Sequence, residues 1–480
     1  MYRSFSSGIF FLKGLVLPAS FVYNGFKSQN VLPKQTERSV LMNTNSYRQK
    51  LHLEPPQGWM NDPNGLSYFD NKYHVYFQYS PFDAEGSGDR GWGHFESTNL
   101  VNWTYTGMVI RPDMPADKDG AYSGSAIVCG DSLEIFYTGN VLEDGDYDYT
   151  TAGRGANVIH VSTKDGHTMS EKEVLLTNAD YPDFCCCHVR DPKVWKEDGK
   201  YRMVLGARTK TDEGCVLFYE SDDLKNWRYT GRDAVPDFAY MWECPDCFRV
   251  DGHRYLSISP QGLPTYEEKF QNLYQSGYFT YDDSLTDFEE WDYGFDFYAP
   301  QTFETPNGRR ILVGWMGIGD SAYENLTVPL GWQHCLTVPR EITRREDGIL
   351  LQNPVPEILS WAGTGSPVSE EKSVDVPLPF LFYGETGAAF SLALSDFCTM
   401  TYEDGLFTLL FTDMSVSGGR TLRKCRLKEC RDIRILADMS SLEIYLNGGE
   451  KVLSTRFYPK EENVTLSVKK MKGEVFPFHL

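Results

Sequence analysis

The stretch Trp59-Met60-Asn61-Asp62-Pro63-Asn64-Gly65 decides the reading of this chain. Asp-Pro and Asn-Gly are turn-making pairs, so taken alone the stretch predicts a tight polar loop carrying a tryptophan and a lone carboxylate. It is, however, the first of five related units. Each unit is a short polar or small-residue segment, an apolar strand, a turn and a second apolar strand, and the copies cover residues 61–79, 122–139, 190–207, 243–260 and 298–317. Two-residue hairpin turns are predicted at Asp70, Asp131, Asp198, Asp251 and Asn307, spaced 61, 67, 53 and 56 residues apart. Hairpin units recurring at this period predict an all-β chain built as a five-bladed β-propeller with about four strands per blade. A shorter repeat agrees, with residues 96–103 (ESTNLVNW) matching residues 220–227 (ESDDLKNW).

Counting back from the turns locates a site. Asp62, Ser123, Asp191, Glu243 and Ala299 stand 8, 8, 7, 8 and 8 residues before their turns, which places them on one ring around a propeller axis. Asp62, Asp191 and Glu243 then converge at one mouth of the central channel. Three acids crowded together repel one another, an arrangement that structure alone does not call for.

Composition bounds the rest. The chain has 480 residues, enough for more than one domain. Its net charge of −21 comes without a basic patch, which argues against nucleic acid as a partner. The apolar run at residues 10–22 is interrupted by Lys13 and Pro18 and is too short to span a membrane. Residues 1–45 read as a disordered extension or as the result of a start set too early, with Met42 the alternative start and a degenerate export signal a further reading. Eleven irregularly spaced cysteines suit a reducing compartment, so a cytoplasmic location is expected. The clusters Cys185-Cys186-Cys187-His188 and Cys244-Pro245-Asp246-Cys247 raise zinc or redox chemistry, but adjacent strand residues face opposite sides and cannot all ligate one ion. The propeller is assigned to residues 46–344, a linker to 345–367 and a small antiparallel β-sandwich to 368–480, which caps the propeller or supports a homo-oligomer.

The motifs at residues 59–65, Arg190-Asp191-Pro192 and Glu243-Cys244-Pro245 together resemble glycoside hydrolase family 32, the invertases, sucrose-6-phosphate hydrolases, levanases and inulinases. Trp92-Gly93-His94, Ser123-Gly124-Ser125 and the run from Asp296 to Gln301 agree with it; Tyr122 stands where the family often has Phe. The resemblance implies a five-bladed propeller followed by a β-sandwich. It implies Asp62 as nucleophile, Glu243 as general acid/base and Asp191 as a stabiliser of the transition state. It makes Trp59, Asn61, Gln78, Trp92, Ser123, Arg190 and Trp315 the walls of a fructose pocket, and requires no cofactor and no metal.

The physical chemistry of the residues fits those roles, since retaining glycoside hydrolysis needs one ionised and one protonated carboxyl. Asp62 is expected to be held ionised by turn N–H groups and by Arg190, and Glu243 to sit in apolar company with Trp242, Cys244 and Pro245. The expected substrate is sucrose or sucrose 6-phosphate, with short fructo-oligosaccharides beside them. An exo-fructanase or fructosyltransferase, a non-catalytic fructoside sensor, and an inverting propeller arabinanase are the competing readings.

Overall fold

A computed structural model describes residues 47–478. The expectations for residues 1–45 lie outside the described residues.

Five antiparallel sheets follow one another along the chain. Blade one runs through Gly58–Phe69, Lys72–Ser80, Gly91–Ser97 and Thr104–Ile110, and blade two through Ala121–Cys129, Ser132–Leu142, Arg154–Thr163 and Glu173–Leu176. Blade three is Cys185–Glu197, Lys200–Thr209, Gly214–Ser221 and Arg228–Asp233, and blade four is Met241–Val250, His253–Gln261, Gly277–Thr280 and Thr286–Glu290. Blade five is Tyr298–Glu304, Arg310–Trp315, Arg340–Arg344 and Leu350–Pro354. The first strand of each sheet packs against that of the next, and the fifth returns to the first, closing a propeller. Closure is reinforced by Trp332–Gln333, which pairs in parallel with Gly58 and Trp59 of blade one. Because these inner strands are covered on both faces, their buried residues come in continuous runs, such as Pro63 to Ser67 and Asp191 to Val194, rather than alternately. Small residues set how near the blades approach: a Cβ at Gly206 of blade three would lie 1.9 Å from the Trp242 carbonyl oxygen of blade four.

The hairpins largely follow their turn residues. Asp70-Asn71, Asp198-Gly199 and Asp251-Gly252 all adopt positive φ, as a type I′ turn requires. Two turns differ from expectation. In blade two the turn is Gly130-Asp131, one residue earlier, with Gly130 supplying the left-handed conformation. In blade five the connection is a five-residue loop, Thr305 to Arg309, since Glu304 pairs with Arg310 and Thr305 closes the loop onto Arg309. The repeat at residues 96–103 and 220–227 is a matched corner: Leu100 and Leu224 take positive φ, and Trp103 and Trp227 donate to their carbonyl oxygens at 3.2 and 3.0 Å. Blade five ends at Pro354, ten residues beyond the boundary drawn from sequence, because its outer strand is formed by Leu350–Pro354.

The C-terminal strands form a β-sandwich around one strand of 15 residues, Phe380–Leu394. It pairs with Asp432–Ala437 along its first part and with Cys398–Glu403 along its second. A break between Thr386 and Ser391 lets it turn from one layer into the other, so the hydrogen-bonded sheet folds over its own apolar core. Buried ion pairs fix the sandwich to the propeller. Arg420 grips Asp296 with two hydrogen bonds of 2.6 and 2.7 Å, and the fully buried Arg340 donates to Glu443, Gln352 and Ser454. Asp296, part of a motif in the sequence, is thus a joint between domains. Among the described residues no helix is long and apolar enough to cross a membrane.

Candidate active site

The stretch Trp59 to Gly65 lies within an inner strand rather than a free loop, and its turn-making residues produce a β-bulge. The register of blade one shifts between Met60 and Pro63, and that of blades two, four and five shifts between Ala121 and Gly124, Glu243 and Asp246, and Tyr298 and Gln301. Blade three breaks register opposite the same point, between Val204 and Gly206. Four of the five bulges carry a proline, at Pro63, Pro192, Pro245 and Pro300, where no ladder N–H is needed; blade two has Gly124, whose Cβ would meet the Phe136 carbonyl oxygen at 2.0 Å. Asp191, Cys244 and Ala299, each preceding its proline, adopt left-handed φ of 63°, 46° and 47°. Such strain gathers where side chains must be re-aimed.

This register corrects the ring drawn from sequence. The residues before the bulge proline or glycine are Asp62, Ser123, Asp191, Cys244 and Ala299, so Cys244, not Glu243, is the counterpart of the two aspartates. Glu243 belongs to the layer one residue nearer the mouth, with Asn61, Arg190 and Tyr298. The hydrogen bonds follow these two layers. In the deeper one, Asp62 Oδ2 accepts from Ser123 Oγ at 2.6 Å. Cys244 Sγ lies 3.6 Å from both Asp62 Oδ2 and Asp191 Oδ2, and the Cys244 N–H donates to Asp191 at 2.9 Å. In the upper layer, Glu243 Oε1 accepts from Arg190 Nε and Nη2 at 3.1 and 2.7 Å. Its Oε2 accepts from Gln261 at 2.7 Å and from the Tyr298 hydroxyl at 2.6 Å.

Arg190 is therefore paired with Glu243 and not with Asp62. The expected apolar company of Glu243 is also absent, because Trp242 turns into the packing between blades three and four and Glu243 is ringed by polar donors. Burial pushes the Asp62 carboxyl up to about 7, against the Ser123 hydrogen bond and with help from the Asp191 and Glu243 charges. Burial likewise raises Asp191 to about 6, with Arg190 opposing it.

Above these layers is a cavity of about 440 Å³. Trp59, Asn61, Asp62, Glu243 and Trp315 line it as expected, joined by Tyr298 of the Asp296–Gln301 run, by Glu85 and Arg90 of a polar loop, and by Gln261, Asp320 and His334, which the sequence did not single out. Three polar atoms in its walls are buried with no hydrogen-bond partner among the described residues: Asn61 Oδ1, Trp315 Nε1 and His334 Nδ1. Unsatisfied acceptors and donors beside aromatic rings suit a polyhydroxylated ligand. Trp59 meets Trp315 and His334 edge-on at 6.5 and 6.3 Å, and the Arg90 guanidinium covers its ring at 4.9 Å.

The remaining expected wall residues support the cavity from beneath. Ser123 and Arg190 donate to Asp62 and Glu243, and the third carboxylate, Asp191, is held by the Cys244 N–H. Trp92 is fully buried, donates to the Tyr122 carbonyl oxygen at 3.0 Å and packs between blades one and two; Gln78, buried too, is its cross-strand neighbour. The cysteine clusters resolve into separate surroundings. Cys244 bridges the aspartates, Cys247 joins an apolar cluster, and His188 accepts from Arg190 Nη1 at 2.7 Å. Among the described residues no group of three or more His, Cys, Asp or Glu is arranged to hold a metal ion.

A propeller that gathers three carboxylates under a polar, aromatic-walled cavity, with a β-sandwich bound to its side, defines a glycoside hydrolase. Residues 52–354 match the model of the glycosyl hydrolases family 32 N-terminal domain, and residues 409–478 that of the family 32 C-terminal domain. The chain is 37% identical over 454 residues to a sucrose-6-phosphate hydrolase of Bacillus subtilis, covering 88% of this chain and 91% of that one. It is 35% identical to a raffinose invertase of Escherichia coli, covering 90% and 93%. A sucrose-6-phosphate hydrolase structure from Lactobacillus gasseri superposes with a TM-score of 0.83 at 28% identity, over 91% of this chain and 94% of that one. A Bombyx mori family 32 beta-fructofuranosidase does so with 0.78 at 29%, over the same shares. The chain belongs to glycosyl hydrolase family 32.

Proposed function

We propose that the protein is a retaining β-fructofuranosidase that releases fructose from sucrose or sucrose 6-phosphate, and from short fructo-oligosaccharides. The observation that carries this reading is the unlike dressing of two carboxylates in one cavity. Asp62 stands half-buried in the deeper layer with Ser123 and Cys244 as its side-chain donors among the described residues, whereas Glu243 stands at the mouth among Arg190, Gln261 and Tyr298.

In its ionised form Asp62 attacks the anomeric carbon of the fructosyl unit while Glu243 passes a proton to the departing glycosidic oxygen. Glu243, now a carboxylate, takes a proton from water, and the resulting hydroxide displaces Asp62 with retention. Asp191, fixed by the Cys244 N–H, accepts hydrogen bonds from fructose hydroxyls, which strengthen as the oxocarbenium character develops. Asn61 Oδ1 and Trp315 Nε1 take further hydroxyls, and the faces of Trp59 and Trp315 pack against the ring. Both steps need only the two carboxyls and water.

The eleven cysteines are all free, which supports a reducing, cytoplasmic location. Leu410 and Leu422, exposed and paired across two sandwich strands, support a homo-oligomer through that domain.

The test is initial rates on sucrose, sucrose 6-phosphate, kestose and inulin, beside Asp62→Asn and Glu243→Gln, with the first anomer resolved by NMR. Release of β-fructose from a disaccharide, lost in both variants, is expected. Inverted product, or turnover on arabinan alone, overturns the reading.

A further inference from the structure

At the opposite end of the channel the C-terminal ends of the same five inner strands enclose a second cavity of about 440 Å³. Its walls carry five cations, Lys193, Lys196, Arg249, Arg254 and Arg310, against two carboxylates, Glu197 and Glu304, in a protein of net charge −21. Two of the cations are neutralised one for one. Lys193 Nζ lies 3.1 Å from Asp246 behind it and donates to the Thr302 carbonyl oxygen, and Arg310 Nη2 donates to Glu304 at 2.8 Å. Arg249 and Arg254 instead converge on one atom, Glu197 Oε1, at 3.0 and 2.9 Å, so two guanidiniums share a single negative charge. Lys196 rests over the Tyr201 ring, and no carboxylate pairs with it among the described residues. The cavity thus keeps two positive charges in excess.

Two of its wall residues also hold buried polar atoms with no hydrogen-bond partner among the described residues, Arg310 Nε and Thr302 Oγ1. An unmade hydrogen bond on a buried guanidinium is costly, and an anion in the cavity would satisfy it. Burial already holds the Arg310 guanidinium below its ordinary range, so an incoming negative charge would be felt strongly there.

We propose that this distal cavity binds a small oxyanion of the phosphate class, either free phosphate or the phosphoryl group of a small sugar phosphate. Arg310, Arg249 and Arg254 supply planar forks suited to such an oxyanion, and Thr302 supplies a hydroxyl. The site is distinct from the catalytic cavity, which lies at the other end of the same strands and shares no wall residue with it.

The experiment is calorimetric titration of the full chain with inorganic phosphate, beside Arg310→Gln, Arg249→Gln and Arg90→Gln. Arg249 is nearly half exposed, so its replacement leaves the fold intact. Saturable binding with a dissociation constant on the order of 1 mM or below is expected, weakened about tenfold by either distal variant. Arg90→Gln, which alters the catalytic cavity, should leave it unchanged. Tighter binding of glucose 6-phosphate than of phosphate, weakened by Arg249→Gln and not by Arg90→Gln, with none of glucose, identifies a sugar phosphate as the ligand; equal binding identifies free phosphate. No saturable binding, or binding weakened by Arg90→Gln and by neither distal variant, overturns the proposal.

Discussion

Arg190 and Glu243 are joined by two hydrogen bonds that end on one carboxylate oxygen, from Nε at 3.1 Å and Nη2 at 2.7 Å. The guanidinium fork fixes the plane of the Glu243 carboxyl and leaves Oε2 to Gln261 and Tyr298. A lysine would keep the charge but not the fork. Arg190→Lys is expected to lower kcat about 100-fold with a much smaller change in KM, because ground-state binding does not depend on the orientation of the proton donor. Steady-state kinetics on sucrose check this, and a change confined to KM would sink it.

His188 holds Arg190 from the other side. Its Nδ1 accepts from Arg190 Nη1 at 2.7 Å, so Nε2 carries the proton and donates to the Tyr149 carbonyl oxygen at 3.0 Å. Burial and the Arg190 charge hold the ring down at about 3, so it remains a neutral acceptor throughout the working range. His188→Ala should lower kcat about tenfold through loss of one hydrogen bond to a charged group. His188→Asn, whose amide oxygen can accept, should recover part of that loss, whereas equal losses in both variants would point to packing alone.

Asp62 must be ionised to attack, and its carboxyl is raised to about 7. The activity of the free enzyme, read as kcat/KM, is therefore expected to fall as pH drops through about 7. Ser123→Ala removes a donor that favours the anion, so that limb should move to higher pH. A pH profile of kcat/KM for both proteins decides it; a limb that stays in place in the variant would contradict the assignment.

Much of this site was legible because a bulge stands at a nearly fixed distance from each hairpin, so counting back from Asp70, Asp198 and Asp251 reached Asp62, Asp191 and, one residue off, Cys244. The side-chain directions were not legible. A strand has period two, and a single bulge residue reverses which neighbours face the channel. That is why Trp242 left the company of Glu243, Trp92 went into the core, and Cys244 proved to be the link between the aspartates. Partners from other blades were hidden for a different reason. Tyr298 reaches Glu243 from the neighbouring blade five, and no spacing along the chain encodes that contact; Gln261 reaches it from the second strand of blade four, across a hairpin whose bulge shifts the register.

Arg340 is the firmest test of the joint between the domains. It is fully buried, with Glu443 bonded at Nε and Asp292 3.3 Å from Nη1, also buried. Arg340→Met would leave Glu443 with His52, the Val338 N–H and the Tyr445 hydroxyl, and Asp292 without its cation. Leaving buried charge unpaired costs about 3–5 kcal/mol, so a large drop in the chemical denaturation midpoint is expected. An unchanged midpoint would show that the joint relaxes.

Asp62→Asn is expected to stabilise the protein while abolishing turnover. The folded Asp62 titrates at about 7 and the unfolded one near 4, so between those values the unfolded chain has released a proton that the folded one keeps. Stability is accordingly lost as pH rises through this window, and the penalty is complete above about 7. Asparagine carries no charge and can still accept from Ser123, so the penalty disappears. The variant should gain on the order of 4 kcal/mol at pH 8, and the gain should shrink to nothing near pH 4. Thermal denaturation of both proteins across that range measures it. A gain independent of pH would mean that the benefit is packing, and no gain at pH 8 would mean that Ser123 and Cys244 already offset the burial of the charge.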